Sequence, residues 1–499
     1  MTRPPPSDDP LTAAVRRLVG SARDRAVDAS SRDRLTDAVT RLDQPLRLAI
    51  AGRVKAGKST LLNALVGEEL APTDAGECTK LVTWYIGSHT TEVTAVRKDG
   101  RRERKSFSRE AGALDVNLGG PVEEFDHLEV SWPSSRLRDV TLVDTPGIAS
   151  LSTEVSERTS TLLSTEDDRP PVVDAVLYLF RHTHASDVRF LESFHDDELG
   201  RGTPLNAVGV LSRPDEIGSC RLDALTVAAR VADRYERDSR IHRLCPLVLP
   251  VAGLLGQAGT TLREEEYRML AVIAAMPEVA CNELLLTADR LLADDADVSL
   301  TPLERAHLAD RLGLFGVRLS VTLIRKRTVQ SATDLARRLA ADSGLEELRG
   351  VLLRQFLERS KLLRARSALT TVRAVLRRGG CSEPERLDSE VEEIMGTAHE
   401  FVEVRLLTDL RTGTVAVADR LEEEMDRLLG GSGHSVARRL GLPEDASVPQ
   451  LLDAAYAALD QWRRVESSPL TSRDARIAAR GVVRTCEGIV AGLVPAARV

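Results

Sequence analysis

Apolar positions follow two different periods along this chain, and the change between them divides it. Between residues 46 and about 253, compact apolar runs recur: LRLAIAG (46–52), LVTWYIG (81–87), VTLVDTPG (140–147), VVDAVLYLF (172–180), LNAVGVLS (205–212) and CPLVLPV (245–251). Runs that are apolar at successive positions suit strands buried on both faces. Their alternation with helical patterns predicts a mostly parallel sheet with helices on both faces. The stretch from about 88 to 135 instead alternates, as in TEVTAVR and HLEVSW, and predicts added antiparallel strands. Two short amphipathic helices are expected near 10–26 and 30–42, stopping at Asp43-Gln44-Pro45. After about 262 the strand signal ends. The remainder reads as helices, with capping-box signals at Thr301-Pro-Leu-Glu304 and Ser343-Gly-Leu-Glu346.

Five parts follow from this pattern. Residues 1–43 are a tail and helices joining a neck, 44–262 an α/β head, and 263–342 a helical neck or bundle. Residues 343–429 read as a long antiparallel helical hairpin, a stalk, and 430–499 as C-terminal helices packing back on the bundle. Charge supports the hairpin. Segment 343–378 carries nine basic and three acidic residues, whereas 382–428 carries five basic and fourteen acidic ones. A continuous helix over 343–378 would be about 54 Å long, and its arms would attract each other. The arginines at 349, 354, 359, 364, 366 and 373 therefore have a structural partner, and nucleic-acid binding is not expected.

Composition narrows the classes. With 499 residues, 42% apolar residues and a net charge of −8, the chain is not of the disordered class. No apolar stretch approaches the 18 residues that a membrane-crossing helix needs, and MTRPPPSDDP lacks the apolar core of a signal peptide. Six widely spaced cysteines without a CxxC pair read as reduced cytosolic thiols, Cys78 included. His182, His184 and His195 faintly suggest a metal set, but they follow a strand in a loop with no Cys and no facing helical pair, so a metal is not expected, and Gly430-Gly-Ser-Gly433 reads as a linker. Arg outnumbers Lys 61 to 7, yet three lysines, 55, 58 and 80, fall close together.

That cluster is where the chemistry lies. Gly52-Arg-Val-Lys55-Ala56-Gly57-Lys58-Ser59-Thr60 matches GxxxxGK[ST] between a strand and a helix. Glycines admit backbone N–H groups around phosphates, and the helix N-terminus adds partial positive charge. Lys58 would reach the β and γ phosphates, and the Ser59 hydroxyl would ligate Mg²⁺. Asp144-Thr-Pro-Gly147 ends an apolar strand, where the carboxylate suits a Mg²⁺-bound water and the Gly147 N–H a γ-phosphate. Ser212-Arg213-Pro214-Asp215 also ends a strand. Asp215 could accept the N1–H and 2-amino hydrogens of guanine, which adenine does not offer, and Arg213 could lie on a purine face. Ala252-Gly253 suits a backbone turn touching guanine O6. Thr79 is the expected switch hydroxyl closing on Mg²⁺, ahead of Thr73. Ile148, after the DTPG, cannot orient water. The residues thus point to a P-loop GTPase head with an extended all-α neck and stalk, using GTP and Mg²⁺.

GRVKAGKSTLLNALVGE, APTDAGECT, DTPG and LSRPDEIG, with helices before and after the head, resemble the bacterial dynamin-like GTPases. The chain is most similar to the actinobacterial isoniazid-inducible members, and by length to the shorter of the paired ones. The resemblance implies GTP hydrolysis stimulated by head-to-head dimerisation, a second dynamin-like partner, and membrane remodelling or maintenance. It implies a cytoplasmic protein, with peripheral contact at the anionic inner face of the plasma membrane. Gly52, Lys58, Ser59, Thr79, Asp144, Gly147 and Asp215 fit the family's motif positions. Lys55 stands where eukaryotic dynamins have Ser, at a position that helps to hold a monovalent cation. Its ammonium would take that cation's place in catalysis. The expected stalk tip, Arg377-Arg378-Gly-Gly-Cys-Ser-Glu-Pro384, is not apolar. Two further readings stand beside this one: a cytosolic GTP-switched scaffold without lipid contact, and a ribosome- or RNA-associated regulatory GTPase.

Overall fold

The computed structural model describes residues 9–71, 81–110, 113–145, 173–181, 206–238, 241, 245, 247–294, 296–411, 413–431 and 433–494. The strands in chain order are β1 Leu46–Gly52, β2 Val82–Gly87, β3 Glu92–Arg97, β4 Arg102–Lys105, β5 Phe107–Glu110 and β6 Ala113–Val116. They continue as β7 Phe125–Trp132, β8 Val140–Asp144, β9 Ala175–Phe180, β10 Ala207–Ser212 and β11 Val248–Val251. Nine form one sheet in the order β11-β10-β9-β1-β8-β2-β7-β3-β4, and β5 pairs with β6. From β11 to β8 every pairing is parallel. The alternating stretch supplies the antiparallel extension, in which β3 pairs antiparallel with β7 and β4, and β2 meets β8 antiparallel and β7 parallel.

The apolar runs of β1, β8, β9 and β10 became central strands because both faces are covered, whereas that of β11 lies at the sheet edge. Every residue of β9 and β10 is buried. On one face Leu48 and Ile50 pack with Leu62 of α3 (Lys58–Val66, after α1 Pro10–Asp24 and α2 Ala29–Arg41). On the other face Ala49, Val143 and Tyr178 pack with Ala228 and Ala232 of α4 (Ala224–Arg237). The fold is a mostly parallel α/β head followed by an all-helical region.

That region holds several cores. The first is built by α5 (Gly253–Thr261), α6 (Glu264–Ala275), α7 (Glu278–Leu284), α8 (Ala288–Leu292), α9 (Pro302–Arg325) and α10 (Ala332–Asp342). Leu255, Leu270, Leu308, Phe315 and Leu335 meet there. The capping box of α9 forms: Glu304 N donates to Thr301 Oγ1 (3.2 Å), and Thr301 N to Glu304 Oε2 (2.7 Å). The one expected at Ser343 does not. Helix α11 (Leu345–Val351) starts from Gly344 in the left-handed region, while Ser343 Oγ donates to Ala340 O.

The single helix expected over 343–378 is in fact three pieces. Helix α11 runs into a π-helical segment, Leu352–Leu357, the chain turns at Arg359, and α12 covers Ser360–Arg377. Two long-range contacts account for the break. Phe356, 1% exposed, sinks into the core beneath the sheet. Three residues later Arg359 is drawn the other way, donating to Gly430 O and His434 Nε2, both at 2.5 Å. A wide π turn suits such a register change.

Beyond the Gly379-Gly380-Cys381 turn come α13 (Pro384–Thr397), α14 (His399–Arg411) and α15 (Asp419–Leu428). The expected attraction between arms is seen at Arg373, which pairs with Asp388 (3.0 Å) and Glu392 (3.5 Å). Arg349 reaches Ala64 O instead (2.9 Å), and Arg364 reaches Gln44 O. Helix α12 packs chiefly with the N-terminal helices: Val15 and Leu35 share a core with Leu369, Val372, Leu387 and Val391. Helices α16 (Val436–Arg439), α17 (Val448–Ser467) and α18 (Arg473–Leu493) share theirs with α14 and α15, around Leu406, Met425, Trp462 and Val482. The C-terminal helices share this core with 399–428 among the described residues. Among the described residues, no helix is long and apolar enough to cross a membrane.

Candidate functional site

The carboxyl ends of the parallel strands converge on one edge of the head, the usual place for a ligand in an open α/β sheet. Strand β1 ends at Gly52, whose φ is +148°. A Cβ there would lie 2.5 Å from Leu179 O of β9, so only glycine lets the strands approach. The chain then turns through Lys55 (φ 63°) and Gly57 (φ 91°, ψ 23°) into α3, which has no side-chain cap. The first-turn N–H groups of α3 are thus open to an anion. Ala56 is buried and donates its N–H to Arg53 O (3.1 Å). Lys55 is exposed.

Lys58 folds back over this loop, its Nζ donating to Gly52 O (3.2 Å) and Arg53 O (3.3 Å). Burial pushes its pKa down, opposed by the nearby Asp144 carboxylate. Ser59 Oγ donates to Asp144 Oδ2 at 3.4 Å. Asp144 is placed by register, paired with Ile50 across β1 and β8. Thr145 locks the strand end by donating from Oγ1 to Ile50 O (3.0 Å). Asp144 Oδ1 is buried and has no hydrogen-bond partner among the described residues. Burial raises the Asp144 pKa to about 6, against the pull of Lys58 and the Ser59 hydroxyl. A hydroxyl and an unsatisfied carboxylate oxygen are hard donors that fit Mg²⁺. Ser59 and Asp144 could hold that ion, which when bound would neutralise phosphate charge.

A second group lies at the ends of β10 and β11. Ser212 Oγ donates to Phe180 O (3.3 Å), Arg213 turns the chain (φ 50°), and Pro214–Glu216 form one 3₁₀ turn. Asp215 is 6% exposed, and burial raises its pKa. The Arg213 guanidinium, expected to lie on a purine, here pairs with Glu216 Oε1 (2.7 Å), as does Arg181 with the same carboxylate. Ala252 N donates to Ser343 O (2.9 Å), so of the expected Ala252-Gly253 turn only Gly253 could face a base with its N–H. Gly253 opens α5 against Thr60 of α3, whose Cγ2 would lie 3.2 Å from a Cβ at 253. Gly52–Thr60 and Asp144 thus form one cluster, with Ser212–Asp215 and Ala252-Gly253 beside it. Thr79, Thr73, Cys78, Gly147, Ile148 and the three loop histidines lie outside the described residues.

Sequence reasoning overlooked Asn63. This buried amide accepts from Leu70 N (2.9 Å) and Ala71 N (2.8 Å) and donates to Ala71 O (3.0 Å). It therefore fixes the chain entering the switch segment. The available signal was a polar amide inside the apolar helix TLLNALV. It also overlooked Arg311, which joins Glu69 (2.5 Å) to Glu266 (2.8 Å) and so ties the same segment to α9 and α6.

Residues 48–201 match the dynamin family. The isoniazid-induced protein IniC of Mycobacterium tuberculosis is 39% identical over 452 residues, spanning 90% of this chain and 91% of that protein. The bacterial dynamin-like protein of Nostoc punctiforme is 32% identical over 114 residues, 20% of this chain and 16% of that one. A solved oligomerised bacterial dynamin pair aligns with 97% of this chain and 74% of its own, at 11% identity and a TM-score of 0.34, too loose a likeness to argue from. The long match to IniC, with the dynamin match across the phosphate loop and Asp144, shows that the chain belongs to the bacterial dynamin-like GTPases.

Proposed function

We propose that this protein binds and hydrolyses GTP with Mg²⁺, is stimulated when two heads dimerise across their nucleotide faces, and acts in membrane remodelling or maintenance with a second dynamin-like protein. One observation carries the nucleotide reading: the unsatisfied Asp144 Oδ1 beside the Ser59 hydroxyl, at the mouth of an uncapped phosphate loop. In this reading the N–H groups of 57–60 cradle the phosphates, and Lys58 leaves its loop carbonyls for the phosphate oxygens. Ser59, Thr79 and Asp144 serve Mg²⁺, the Gly147 N–H meets the γ-phosphate, and Asp215 reads guanine. Exposed Lys55 offers a positive charge at the lip of the loop. The working units are the head (44–262), the bundle (263–342) and a stalk (343–429) to which 1–43 and 430–499 are joined. The protein is cytoplasmic and meets anionic membrane peripherally.

A second reading, a GTP-switched scaffold without lipid contact, has one observation in its favour. The expected tip is closed against the N-terminal helices. Ala26 bridges Cys381, Val27 N donates to Gly380 O (2.9 Å), Ser382 N donates to Arg25 O (2.9 Å), and Cys381 is buried.

Ile148, which follows the DTPG, cannot orient water, so a second head is expected to complete the site and turnover should depend on protein concentration. Specific GTPase activity should rise over a hundredfold concentration range, with a transition-state mimic driving dimerisation in light scattering. Flat activity and a monomer under all nucleotide conditions would contradict the proposal.

A further inference from the structure

Helix α9 belongs to the bundle, yet it touches the base-reading turn at two points. The first is a kink. Gly313 interrupts the helix with φ 66° and ψ 169°, a conformation that side chains rarely adopt. A Cβ at 313 would sit 3.5 Å from Leu254 Cδ1 and 3.9 Å from Asp215 Oδ2. The bend therefore lays bare backbone beside the carboxylate that is read as the guanine acceptor. The second point is a clamp. Just past Asp215, Gly218, Ser219 and Cys220 are all left-handed, with φ of 63°, 60° and 60°. Non-glycine residues seldom hold that conformation unaided. Arg318, on the same helix, donates from Nη1 to Ser219 O (2.9 Å) and Cys220 O (2.7 Å). Its other nitrogens donate to Leu285 O and Leu286 O at the end of α7, both at 2.7 Å. One guanidinium thus binds the turn that follows Asp215 to two elements of the bundle. Five residues before the clamp, at Gly313, the kink of the bundle helix passes close to the carboxylate.

We propose that Arg318 is a positioning residue for base recognition: by clamping the turn that follows Asp215, beside the Gly313 kink, it sets where that carboxylate stands, so that guanine occupancy and the setting of the 263–342 bundle are linked. This rests on Asp215 as the guanine acceptor. The link is a property of the base and not of the phosphates, because none of these contacts touches the phosphate loop. Arg311, two residues before the kink, reaches Glu69 at the stem of the switch segment (2.5 Å). The same helix therefore spans both variable edges of the site.

The test is calorimetric titration of wild type, Arg318→Ala, Arg318→Lys and Asp215→Asn with Mg-GTP, Mg-ATP, Mg-XTP (the xanthine nucleotide) and inorganic triphosphate. Loss of the clamp should weaken Mg-GTP roughly 10- to 100-fold, the scale of one or two charge-assisted hydrogen bonds. The GTP-to-ATP preference should shrink by a similar factor, while triphosphate affinity stays at the wild-type value. Arg318→Lys should recover only part of the preference, since an ammonium cannot span four carbonyls. Equal losses for GTP and triphosphate would show general damage, and unchanged GTP discrimination no role at all; either overturns the inference. Asp215→Asn should exchange guanine for xanthine preference. If it does and Arg318→Ala still discriminates normally, only the clamp proposal falls. If Asp215→Asn keeps guanine preference, the base reading falls and takes the inference with it. Hydrogen exchange on the wild-type protein needs no variant to fold. Amides of 218–222 and 313–318 should gain protection with Mg-GDP but not with inorganic triphosphate, and no difference between the two overturns the proposal.

Discussion

Asp144→Asn should make the nucleotide-free protein more stable while disabling its site. The magnitude follows from burial. The carboxyl is displaced from the ordinary 3.8 to about 6, mainly because the folded head takes it out of water. Ionising it in the folded state therefore costs about 3 kcal/mol relative to the unfolded chain, at 1.36 kcal/mol per pKa unit. The sign runs one way. Well below pH 4 the group is neutral in both states and costs nothing. As pH rises from about 4 through 6, the folded state holds a proton that the unfolded state releases, and stability falls by that amount. Above pH 6 the full cost stays. Asparagine never ionises, has the same shape, and still offers an oxygen to the Ser59 hydroxyl. In chelator-treated protein followed by urea unfolding of the head, the variant should match wild type near pH 3 and exceed it by about 3 kcal/mol at pH 7.5. Mg-GTP affinity should collapse in the same variant. A stability difference that is absent at pH 7.5, or the same at every pH, would refute the reasoning.

Lys55→Ala should lose roughly 10- to 1,000-fold in turnover, on the scale of one transition-state donor, with GTP affinity changed much less. Wild-type turnover should be equal in potassium, sodium or a bulky organic cation, and a potassium requirement would show that the lysine does not replace the ion. Asp174 accepts from Arg41 Nη2 (2.9 Å) and from Arg47 N (2.9 Å), joining α2 to the sheet. Asp174→Ala leaves buried donors behind and should destabilise the protein by about 3–5 kcal/mol in urea titration, with nucleotide selectivity unchanged.

The central strands were legible because burial on both faces leaves an unbroken apolar signature, as in LRLAIAG and AVLYLF. The phosphate loop was legible because its glycines answer a local backbone need, seen at Gly52 against Leu179. What remained hidden depends on distant partners. Nothing local in 343–378 tells that Phe356 is needed under the sheet while Arg359 is needed at Gly430, so an unbroken helix was the natural expectation. Ser343 accepts from Leu345 N at the start of the helix and donates to Ala340 O, but Glu346 turns to Arg349 and does not complete the box. Arg318 resembles any solvated arginine in a chain rich in them, since its partners lie from about thirty to about a hundred residues upstream.

The most direct test is to titrate Mg-GTP into wild type and Lys58→Ala, with phosphate release followed on the same samples. The proposed chemistry predicts saturable GTP binding and phosphate release for wild type. Lys58→Ala should show neither, while retaining the wild-type circular dichroism and melting profile. Equal GTP affinity and turnover in the two proteins would contradict the placement of the phosphate site at Gly52–Ser59.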